Sequence, residues 1–290
     1  MKFRVAVLAG GRSNEREISH MSGNNVMNAL KRLGYSCLLV DPVDINFTRL
    51  LKDYKPDLVF IALHGEFGED GTMQAILNFM GMCYPSSGVT ASAMCMDKLI
   101  TKKMLNGSGI LTPRVLSLKE GSQEPPFVIK PVKGGSSIGV EIVHEPIKNP
   151  LEDGYFAEEY IRGQEVTVGI MEINGILTAL PILRIMPKRE FYDYIAKYTS
   201  GMTEFECPAS LGEKVSKKIK ETALKAFKLM GCKGFGRVDG IIDQNDEFYV
   251  LEINTIPGLT NLSDIPIAAK AVGMSFDDMI KEIVDSTLER

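Results

Sequence analysis

"FVIKPVKGGSSIGVEIV", residues 127–143, sets a run of glycines and serines between two segments of β-forming residues. The run does not match the P-loop, whose lysine follows the glycines, because here Lys130 and Lys133 precede them. It does not match the dinucleotide fingerprint either, since that fingerprint opens a helix and this run continues into β-formers. The stretch therefore predicts a glycine-rich loop between two strands, which could wrap a phosphate. The missing dinucleotide fingerprint argues against a nicotinamide-dependent oxidoreductase.

The composition is that of an ordinary globular protein, 44% hydrophobic and 24% charged, and 290 residues are enough for two or three domains. A net charge of −4 argues against a nucleic-acid binder, which normally carries a basic face. No apolar run approaches the roughly 18 residues of a membrane span, and the apolar start lacks a signal-peptide cleavage site. We therefore expect a cytoplasmic protein that binds neither nucleic acid nor membrane.

Cysteine usage indicates a reducing compartment. The five cysteines are an odd number and show no CxxC spacing, so we expect reduced, buried thiols. With only three scattered histidines, the sequence does not predict a zinc site.

The first third of the chain alternates strand and helix patterns. A helical apolar spacing runs from Ile18 to Leu33 and ends at Gly34. This rhythm predicts a parallel sheet covered by helices on both faces. The strand and second helix patterns are "FRVAVLAGG" (3–11), "SCLLVD" (36–41), "PDLVFIAL" (56–63) and "TMQAILNFMG" (72–81).

The rest of the chain has a different character. Residues 84–105 read as a crossover with one helix, and antiparallel strands with tight glycine turns follow. Residues 187–208 have no clear period and predict a long loop. An amphipathic helix then carries Ile219 and Phe227 on one face and ends at Gly231. A hairpin comes next, with "QND" (244–246) at its turn.

The hairpin places polar side chains together. Because side chains alternate along a strand, Arg237 and Asp239 share one face, as do Glu252 and Asn254. A four-residue loop at 244–247 would set Asp239 opposite Glu252. Carboxylate and amide oxygens are hard ligands that suit Mg²⁺. A solvated polar face is the alternative, although the apolar residues between these side chains show that at least one face is buried.

Two further groups could recognise a nucleotide. In "EEYIRGQEVTV", residues 158–168, Tyr160 and Ile161 form an apolar strip, and Glu158 and Glu165 could accept hydrogen bonds from a ribose or an amino group. An ordinary surface strand is the alternative. Lysines form the second group.

The ammonium groups of Lys98 and Lys130, with the loop amides at 135–137, could together neutralise a polyphosphate. Solvated surface lysines are the alternative, which is weaker for Lys130 because "FVIKP" sets it in an apolar strand.

Two loops follow strands of the predicted parallel sheet, at the edge where such sheets bind ligands. They are "GGRSNEREIS" (10–19), which holds Glu15 near a helix start, and "HGEFGEDGTMQ" (64–74), which holds His64, Glu69 and Asp70. Asp70 before Gly71 is best interpreted as turn and helix-cap chemistry.

Taken in order, these motifs resemble those of the D-alanine–D-alanine ligases of the ATP-grasp superfamily. The similarity runs from "LAGGRSNEREIS" through "LHGEFGEDGTMQ", "SSGVTASAMCMDK", "VIKPVKGGSSIGV", "FYDYIAKYT" and "GFGRVDG" to "LEINTIPGLT". It implies an α/β and α+β protein with the three-domain ATP-grasp fold. The implied domains are a parallel α/β N-terminal domain (1–88), a central domain with the glycine-rich loop (89–165), and a C-terminal domain with the metal site and lid loop (166–290).

The resemblance also implies how ATP and metal are bound. The glycine-rich loop, residues 133–139, would fold over the ATP phosphates. Asp239, Glu252 and Asn254 would ligate two Mg²⁺ ions, with Mn²⁺ as a substitute. The residues implied to bind ATP are Lys98, Lys130, Gly135, Ser136 and Ser137 at the phosphates, and Glu158, Tyr160, Ile161 and Glu165 at adenine and ribose.

For the amino-acid substrates, Glu15 would anchor the ammonium group of the first D-alanine. Arg237 and the Gly258 amide would form an oxyanion site, and Ser263 would face the carboxylate of the second substrate. The implied lid group comprises Ser136 and Tyr198, which would link to Glu15, and Lys197, which would help to neutralise the transferred phosphoryl group.

The implied activity is ATP-dependent ligation of two D-alanines through an acyl phosphate, for peptidoglycan precursor synthesis, by a homodimer. Alternatives are a D-alanine–D-lactate ligase, another ATP-grasp carboxylate–amine ligase, and an idle nucleotide-binding module. Intact Arg237, with the three metal-ligand candidates, argues against the last. Two departures from the family pattern are Asp264 after Ser263, where an apolar residue is usual, and the short connection at 117–127.

Overall fold

The computed structural model describes residues 3–117, 124–147, 150–189, 192, 196, 199 and 201–288. The N-terminal region forms a parallel sheet in the order β2-β1-β3, which confirms the predicted strand–helix alternation. Its short helix α2 was not predicted, because only Leu51 of its eight residues is buried. The elements are β1 (Arg4–Leu8), α1 (Arg16–Arg32), β2 (Ser36–Val40), α2 (Phe47–Tyr54), β3 (Leu58–Ile61) and α3 (Thr72–Phe79).

The crossover contains two helices, α4 (Val89–Met96) and α5 (Lys98–Gly107), so the prediction of one helix was wrong. The helical conformation is interrupted at Asp97, whose backbone is extended (φ −89°, ψ 103°). Its side chain accepts the N–H of Ile100 at 3.0 Å and so caps the start of α5. This break sets Lys98 at the first position of α5.

A four-stranded antiparallel sheet follows, in the order β4-β7-β5-β6. The glycine-rich run connects β5 to β6, as the opening stretch predicted. Phe127, Val143 and Ala157 form its buried core. The strands are β4 (Val115–Leu116), β5 (Phe127–Pro131), β6 (Glu141–Val143) and β7 (Tyr155–Glu159).

The largest sheet has five antiparallel strands in the order β10-β9-β8-β11-β12. Helix α6 (Glu213–Leu229) packs on it through the predicted apolar face. The prediction of a loop throughout 187–208 was wrong at β10, which pairs with the end of β9. The strands are β8 (Gly163–Ile173), β9 (Ile176–Pro187), β10 (Thr203–Glu206), β11 (Phe235–Asp243) and β12 (Phe248–Asn254).

The β11–β12 hairpin has the predicted register at its polar end, where Asp239 lies opposite Glu252. The predicted four-residue loop was nevertheless wrong. The Asp243 amide donates to the Glu247 carbonyl at 3.0 Å, so the turn is shorter by one residue. A β-bulge restores the register, because Gly240 pairs with Val250 and leaves Leu251 as the extra residue.

The C-terminal helices α7 (Asp264–Ala271) and α8 (Phe276–Leu288) return to the N-terminal region. One hydrophobic cluster contains Val5 and Phe60 of the first sheet, Phe235 of the largest sheet, and Ile265 and Ile280 of these helices. Strand β8 of the largest sheet begins before the predicted boundary at residue 165, and the domain boundaries stay a prediction. Within the described part of the chain, none of the helices has the length and apolarity of a membrane span.

Candidate active site

Two adjoining cavities lie where the three sheets approach one another. The first cavity, about 120 Å³, lies between the four-stranded and five-stranded sheets. The second cavity, about 140 Å³, lies between the N-terminal loops, the glycine-rich loop and the start of α7. The two cavities share a wall formed by Gly135, Tyr192, Arg237, Glu252 and Asp264. Arg237 and Glu252 therefore line both cavities.

The first cavity has an apolar part and a charged part. Val128, Ile142 and Leu251 contribute apolar surface from three different strands. Such a slot suits a flat aromatic ring, whereas the charged part suits a polyanion. The predicted residues that line the cavity are Lys98, Lys130, Gly135, Ser137, Glu158, Tyr160, Ile161, Glu165, Arg237, Asp239 and Glu252.

Glu158 is only 1% exposed and lies between two lysines. Lys130 Nζ lies 2.6 Å from Oε1, and Lys102 Nζ lies 2.5 Å from Oε2. Lys102 also donates to Thr112 Oγ1 and to the Pro113 carbonyl, both at 2.9 Å. Burial would raise the pKa of Glu158, but the two ammonium groups outweigh it and lower the pKa. The carboxylate is therefore ionised and fixes Lys130 at the cavity wall.

Lys98 connects the glycine-rich loop to the hairpin. Its Nζ donates to the Gly134 carbonyl at 2.7 Å and lies 3.6 Å from Glu252 Oε2. Its backbone amide donates to the Val132 carbonyl at 3.0 Å. The predicted phosphate-binding lysine is thus held beside the predicted metal ligand.

The glycine-rich loop reaches across to two other parts of the chain. Ser136 Oγ donates to Glu15 Oε1 in a short hydrogen bond, and Ser137 Oγ donates to the Tyr192 carbonyl at 2.8 Å. Both serines have a positive φ, 53° and 57°, so the loop turns sharply there. The predicted link between Ser136 and Glu15 is present, whereas Lys197 and Tyr198 lie outside the described residues.

Arg237 uses all three of its guanidinium nitrogens. Nε and Nη2 donate to the two oxygens of Asp239 at 2.7 Å, and Nη1 lies 2.7 Å from Asp264 Oδ2. Thr167 Oγ1 also donates to Asp239 Oδ1 at 2.5 Å. Burial alone would lower the pKa of Arg237, but the two carboxylates outweigh it and hold the pKa well above its ordinary value. A permanent cation is thus fixed in the wall between the cavities.

The predicted metal ligands have suitable donor chemistry. Asp239 and Glu252 face each other in register, and Asn254 pairs with Arg237 on the same two strands. Among the residues that the structure describes, no group of three or more His, Cys, Asp or Glu side chains could hold a metal. The predicted set differs from such a group, because it has two carboxylates and one amide oxygen. Mg²⁺ accepts such a set, since it retains water and phosphate as its other ligands.

The second cavity contains buried acidic groups. Glu15 occupies the cap position before α1, and His64 and Glu69 come from the loop after β3. Burial and the nearby charge of Glu15 raise the pKa of Glu69 well above its ordinary value. Asp70 accepts the amides of Phe67 and Thr72, both at 2.9 Å, so its turn interpretation agrees with the structure. Its cap interpretation was wrong, because the N-cap position of α3 is Gly71 and no side chain caps the helix.

Gly258 and Ser263 form the opposite wall of the second cavity. A Cβ at position 258 would lie 2.8 Å from Ser263 Oγ, so no larger residue fits there without movement. Ser263 occupies the N-cap position of α7 without a side-chain cap hydrogen bond, and its Oγ accepts the amide of Thr260 at 3.0 Å. Gly258, the predicted oxyanion donor, is therefore adjacent to Ser263, which is predicted to face the carboxylate of the second substrate.

Sequence reasoning did not single out Lys102, and it included Tyr192 only as the first residue of an aperiodic stretch, 192–199, that it interpreted as a lid. Lys102 follows Lys98 by one helical turn, a spacing that places both lysines on one face of α5. That signal was available, whereas the position of Tyr192 depends on the fold of an aperiodic segment. Asp264 was noted only as a departure, and the structure shows its carboxylate on Arg237.

Comparisons with known proteins bear on the identity of this site. A family model described as "D-ala D-ala ligase C-terminus" matches residues 114–285. The D-alanine–D-alanine ligase of Pseudothermotoga lettingae is 48% identical, over 99% of this chain and 100% of the relative. That of Thermotoga maritima is 45% identical, over 98% and 97%. The chain belongs to the D-alanine–D-alanine ligase family.

Solved ligase structures agree with this family membership. The Bacillus anthracis D-alanine–D-alanine ligase complexed with ATP has a TM-score of 0.82 and 30% identity, covering 100% of this chain and 98% of that one. The VanG D-Ala:D-Ser ligase from Enterococcus faecalis has a TM-score of 0.81 and 28% identity, covering 99% and 100%. The predicted ATP-grasp fold is confirmed. Fold similarity alone does not distinguish D-alanine from D-serine as the second substrate. The relatives with the higher sequence identity are D-alanine–D-alanine ligases.

Proposed function

We propose that this protein joins two D-alanines into D-alanyl-D-alanine and converts one ATP to ADP and phosphate. The observation that carries the proposal is the shared wall of Arg237 and Glu252 between the two cavities. One cavity has an apolar slot and lysines, which suit ATP, and the other has a buried carboxylate, which suits an ammonium group. Reacting groups from each cavity would meet at the guanidinium.

ATP binds in the first cavity. Adenine lies along the apolar strip of Tyr160 and Ile161, and Glu165 accepts from the ribose. Lys98, Lys130 and the amides of residues 135–137 bind the phosphates. Glu158 acts mainly by holding Lys130, because both of its oxygens already contact lysines.

Asp239, Glu252 and Asn254 would hold two Mg²⁺ ions, for which Mn²⁺ could substitute. When bound, the metal neutralises negative charge on the phosphates. Lys98, whose Nζ lies beside Glu252, supplies further positive charge from the protein itself.

The first D-alanine binds with its ammonium group on Glu15 and its carboxylate towards ATP. A carboxylate oxygen attacks the γ-phosphorus, the bond to the bridging oxygen of ADP breaks, and an acyl phosphate forms. The amine of the second D-alanine attacks the acyl carbon, loses a proton, and expels phosphate. Arg237 and the Gly258 amide stabilise the negative charge that develops in these steps.

The second D-alanine is held through its carboxylate by Ser263 at the start of α7. Ser136 links the glycine-rich loop to Glu15, and Tyr198 and Lys197 complete a lid that excludes water from the hydrolysable acyl phosphate. We further propose that the product serves peptidoglycan precursor synthesis, that the enzyme works in the cytoplasm, and that it is a homodimer of three-domain subunits.

Phosphate release from ATP, measured with D-alanine, L-alanine, D-serine and D-lactate, tests this function. We expect phosphate and D-alanyl-D-alanine in equal amounts with D-alanine, and background release with L-alanine. Equal concentrations of D-alanine and D-lactate should yield little depsipeptide. Predominance of D-alanyl-D-lactate or D-alanyl-D-serine in mixed reactions, resolved by mass, would contradict the proposal.

A further inference from the structure

A buried serine and a buried histidine connect the N-terminal region to the segment that carries Gly258. Ser22 Oγ, on α1, lies 2.9 Å from His64 Nε2. His64 Nδ1 lies 3.0 Å from the Ile256 carbonyl oxygen. The Leu259 amide donates to Ser22 Oγ at 3.1 Å. These contacts form a closed cycle of hydrogen bonds that fixes the segment 256–259 at Ile256 and at Leu259.

The chemistry of the partners determines the direction of each hydrogen bond. A carbonyl oxygen only accepts, so His64 Nδ1 carries the proton. Ser22 Oγ already accepts from the Leu259 amide, and its hydroxyl proton points to His64 Nε2, which accepts. Burial lowers the pKa of His64, which agrees with a neutral ring. His64 is therefore neutral and fixed in the tautomer protonated at Nδ1, with both ring nitrogens hydrogen-bonded.

The segment 256–259 contains one group of the candidate site, the Gly258 amide, and supports another, Asn254. The Gly258 amide lies between the two anchored residues, Ile256 and Leu259. The Ile256 amide donates to Asn254 Oδ1 at 3.1 Å, so the same segment orients a predicted metal ligand. A second residue of α1, Asn25, donates through Nδ2 to the Leu259 carbonyl at 3.1 Å.

We propose that Ser22 and His64 are positioning residues that hold the Gly258 amide in the orientation needed to bind the developing oxyanion. This inference rests on the proposed function, because it takes Gly258 as an oxyanion donor. Ser22 is completely buried and is not among the described residues that line either cavity. Its influence on catalysis must therefore pass through His64 and Leu259.

Removal of the Ser22 hydroxyl leaves the Leu259 amide and His64 Nε2 without their partner in a buried place. Buried polar groups without partners are costly, so the segment shifts or admits water to satisfy them. A displaced donor still binds substrate but stabilises the transition state less well, because small misplacements have large effects on rate. The loss should therefore fall on kcat more than on KM.

The test compares Ser22→Ala, His64→Asn and the double variant with a matched control. Ser286→Ala removes another buried serine hydroxyl, which donates to the Ile283 carbonyl of α8 at 3.2 Å and lies away from both cavities. For Ser22→Ala we expect kcat to fall between about tenfold and a hundredfold, while KM for ATP changes less than about twofold. Ser286→Ala should retain wild-type kcat. Ser22→Cys, which keeps a weak donor and acceptor, should retain more activity than Ser22→Ala.

The double variant distinguishes a shared clamp from two separate contributions. If both residues act through one cycle, kcat of the double variant should fall no further than kcat of the more impaired single variant. Multiplicative losses would overturn the proposal, as would wild-type kcat in a folded Ser22→Ala. A fall in kcat no larger than the fall in the folded fraction, measured by a thermal melt, would also overturn it.

A second measurement does not depend on activity or on the folding of any variant. Long-range ¹H–¹⁵N NMR of the wild-type protein, which has three histidines, reports the tautomer of each ring. We expect one neutral ring protonated at Nδ1, and it should be assigned to His64. A His64 ring protonated at Nε2, or charged at neutral pH, would overturn the cycle. Absence of dipeptide synthesis in the wild type would instead contradict the proposed function and leave this result unaffected.

Discussion

Arg237 donates two parallel hydrogen bonds, each 2.7 Å long, to the carboxylate of Asp239, which follows it by two residues on the same strand. Such a paired contact fixes the plane of the guanidinium as well as its position. The predicted oxyanion group and a predicted metal ligand therefore orient each other. A change at Asp239 should affect both metal binding and the stabilisation of negative charge.

The Asp239→Asn and Glu252→Gln variants test the metal assignment. Each should remain folded, bind ATP poorly with Mg²⁺, and lose about a hundredfold or more in kcat, because electrostatic stabilisation of the transition state is weakened. Titration of activity with Mg²⁺ measures the effect. Asp246→Asn, an exposed change at the turn of the same hairpin, is the matched control and should behave like the wild type. Normal Mg²⁺ dependence in either of the first two variants would disprove the assignment.

Glu15→Gln tests the ammonium site. The change removes a charge but keeps the shape and one acceptor, so KM for the first D-alanine should rise about ten- to a hundredfold, the equivalent of a charge-assisted hydrogen bond of roughly 1.5–3 kcal/mol. KM for ATP should change little. Glu17→Gln, on the exposed side of α1, is the control. Equal increases in both constants would indicate that Glu15 has a structural role through Ser136 instead.

The Lys102–Glu158–Lys130 group should contribute to stability as well as to ATP binding. Glu158→Gln leaves the ammonium of Lys102 buried without a counter-charge, so we expect a loss of about 3–5 kcal/mol in the free energy of unfolding. The neighbouring Glu159→Gln breaks only a surface pair with Arg114 and should cost about 1 kcal/mol or less. Urea unfolding compares the two variants. Similar losses would show that Glu158 is not held as a buried ion.

Glu69 should make stability depend on pH. Its pKa is raised in the folded protein, so above the ordinary carboxyl value of about 4.5 the unfolded chain releases this proton first. The contribution of Glu69 to stability is therefore lost as the pH rises towards the folded pKa. Glu69→Gln cannot lose a proton, so the stability of the variant relative to the wild type should increase between pH 5 and pH 8. Parallel unfolding free energies over this range would contradict the raised pKa.

The sequence was most informative where strand alternation alone decides which side chains share a face. The placement of Asp239 opposite Glu252 was predicted, but from the wrong loop length, and the bulge at Leu251 compensates for the shorter turn. A bulge depends on packing against neighbouring strands and leaves no clear signal in local composition. The fold and its strand–helix rhythm were therefore easier to predict than the details of register.

Residues that act through tertiary contacts were harder to predict. The helical spacing of Lys102 from Lys98 indicates a shared face, but only packing against the four-stranded sheet brings Lys102 to Glu158. The Ser22–His64 cycle joins parts of the chain that lie more than 230 residues apart at its widest contact. Asp264 was recognised as unusual, yet nothing in the sequence indicated that it would contact Arg237.

Oxygen transfer tests the central claim most directly, since that claim is ligation of two D-alanines through an acyl phosphate. D-alanine labelled with ¹⁸O in its carboxylate is incubated with ATP and Mg²⁺, and the phosphate and dipeptide are analysed by mass. The first D-alanine gives one carboxylate oxygen to phosphorus, so each phosphate released should carry one ¹⁸O for each D-alanyl-D-alanine formed. Dipeptide accompanied by unlabelled phosphate, or labelled phosphate without dipeptide, would contradict this account.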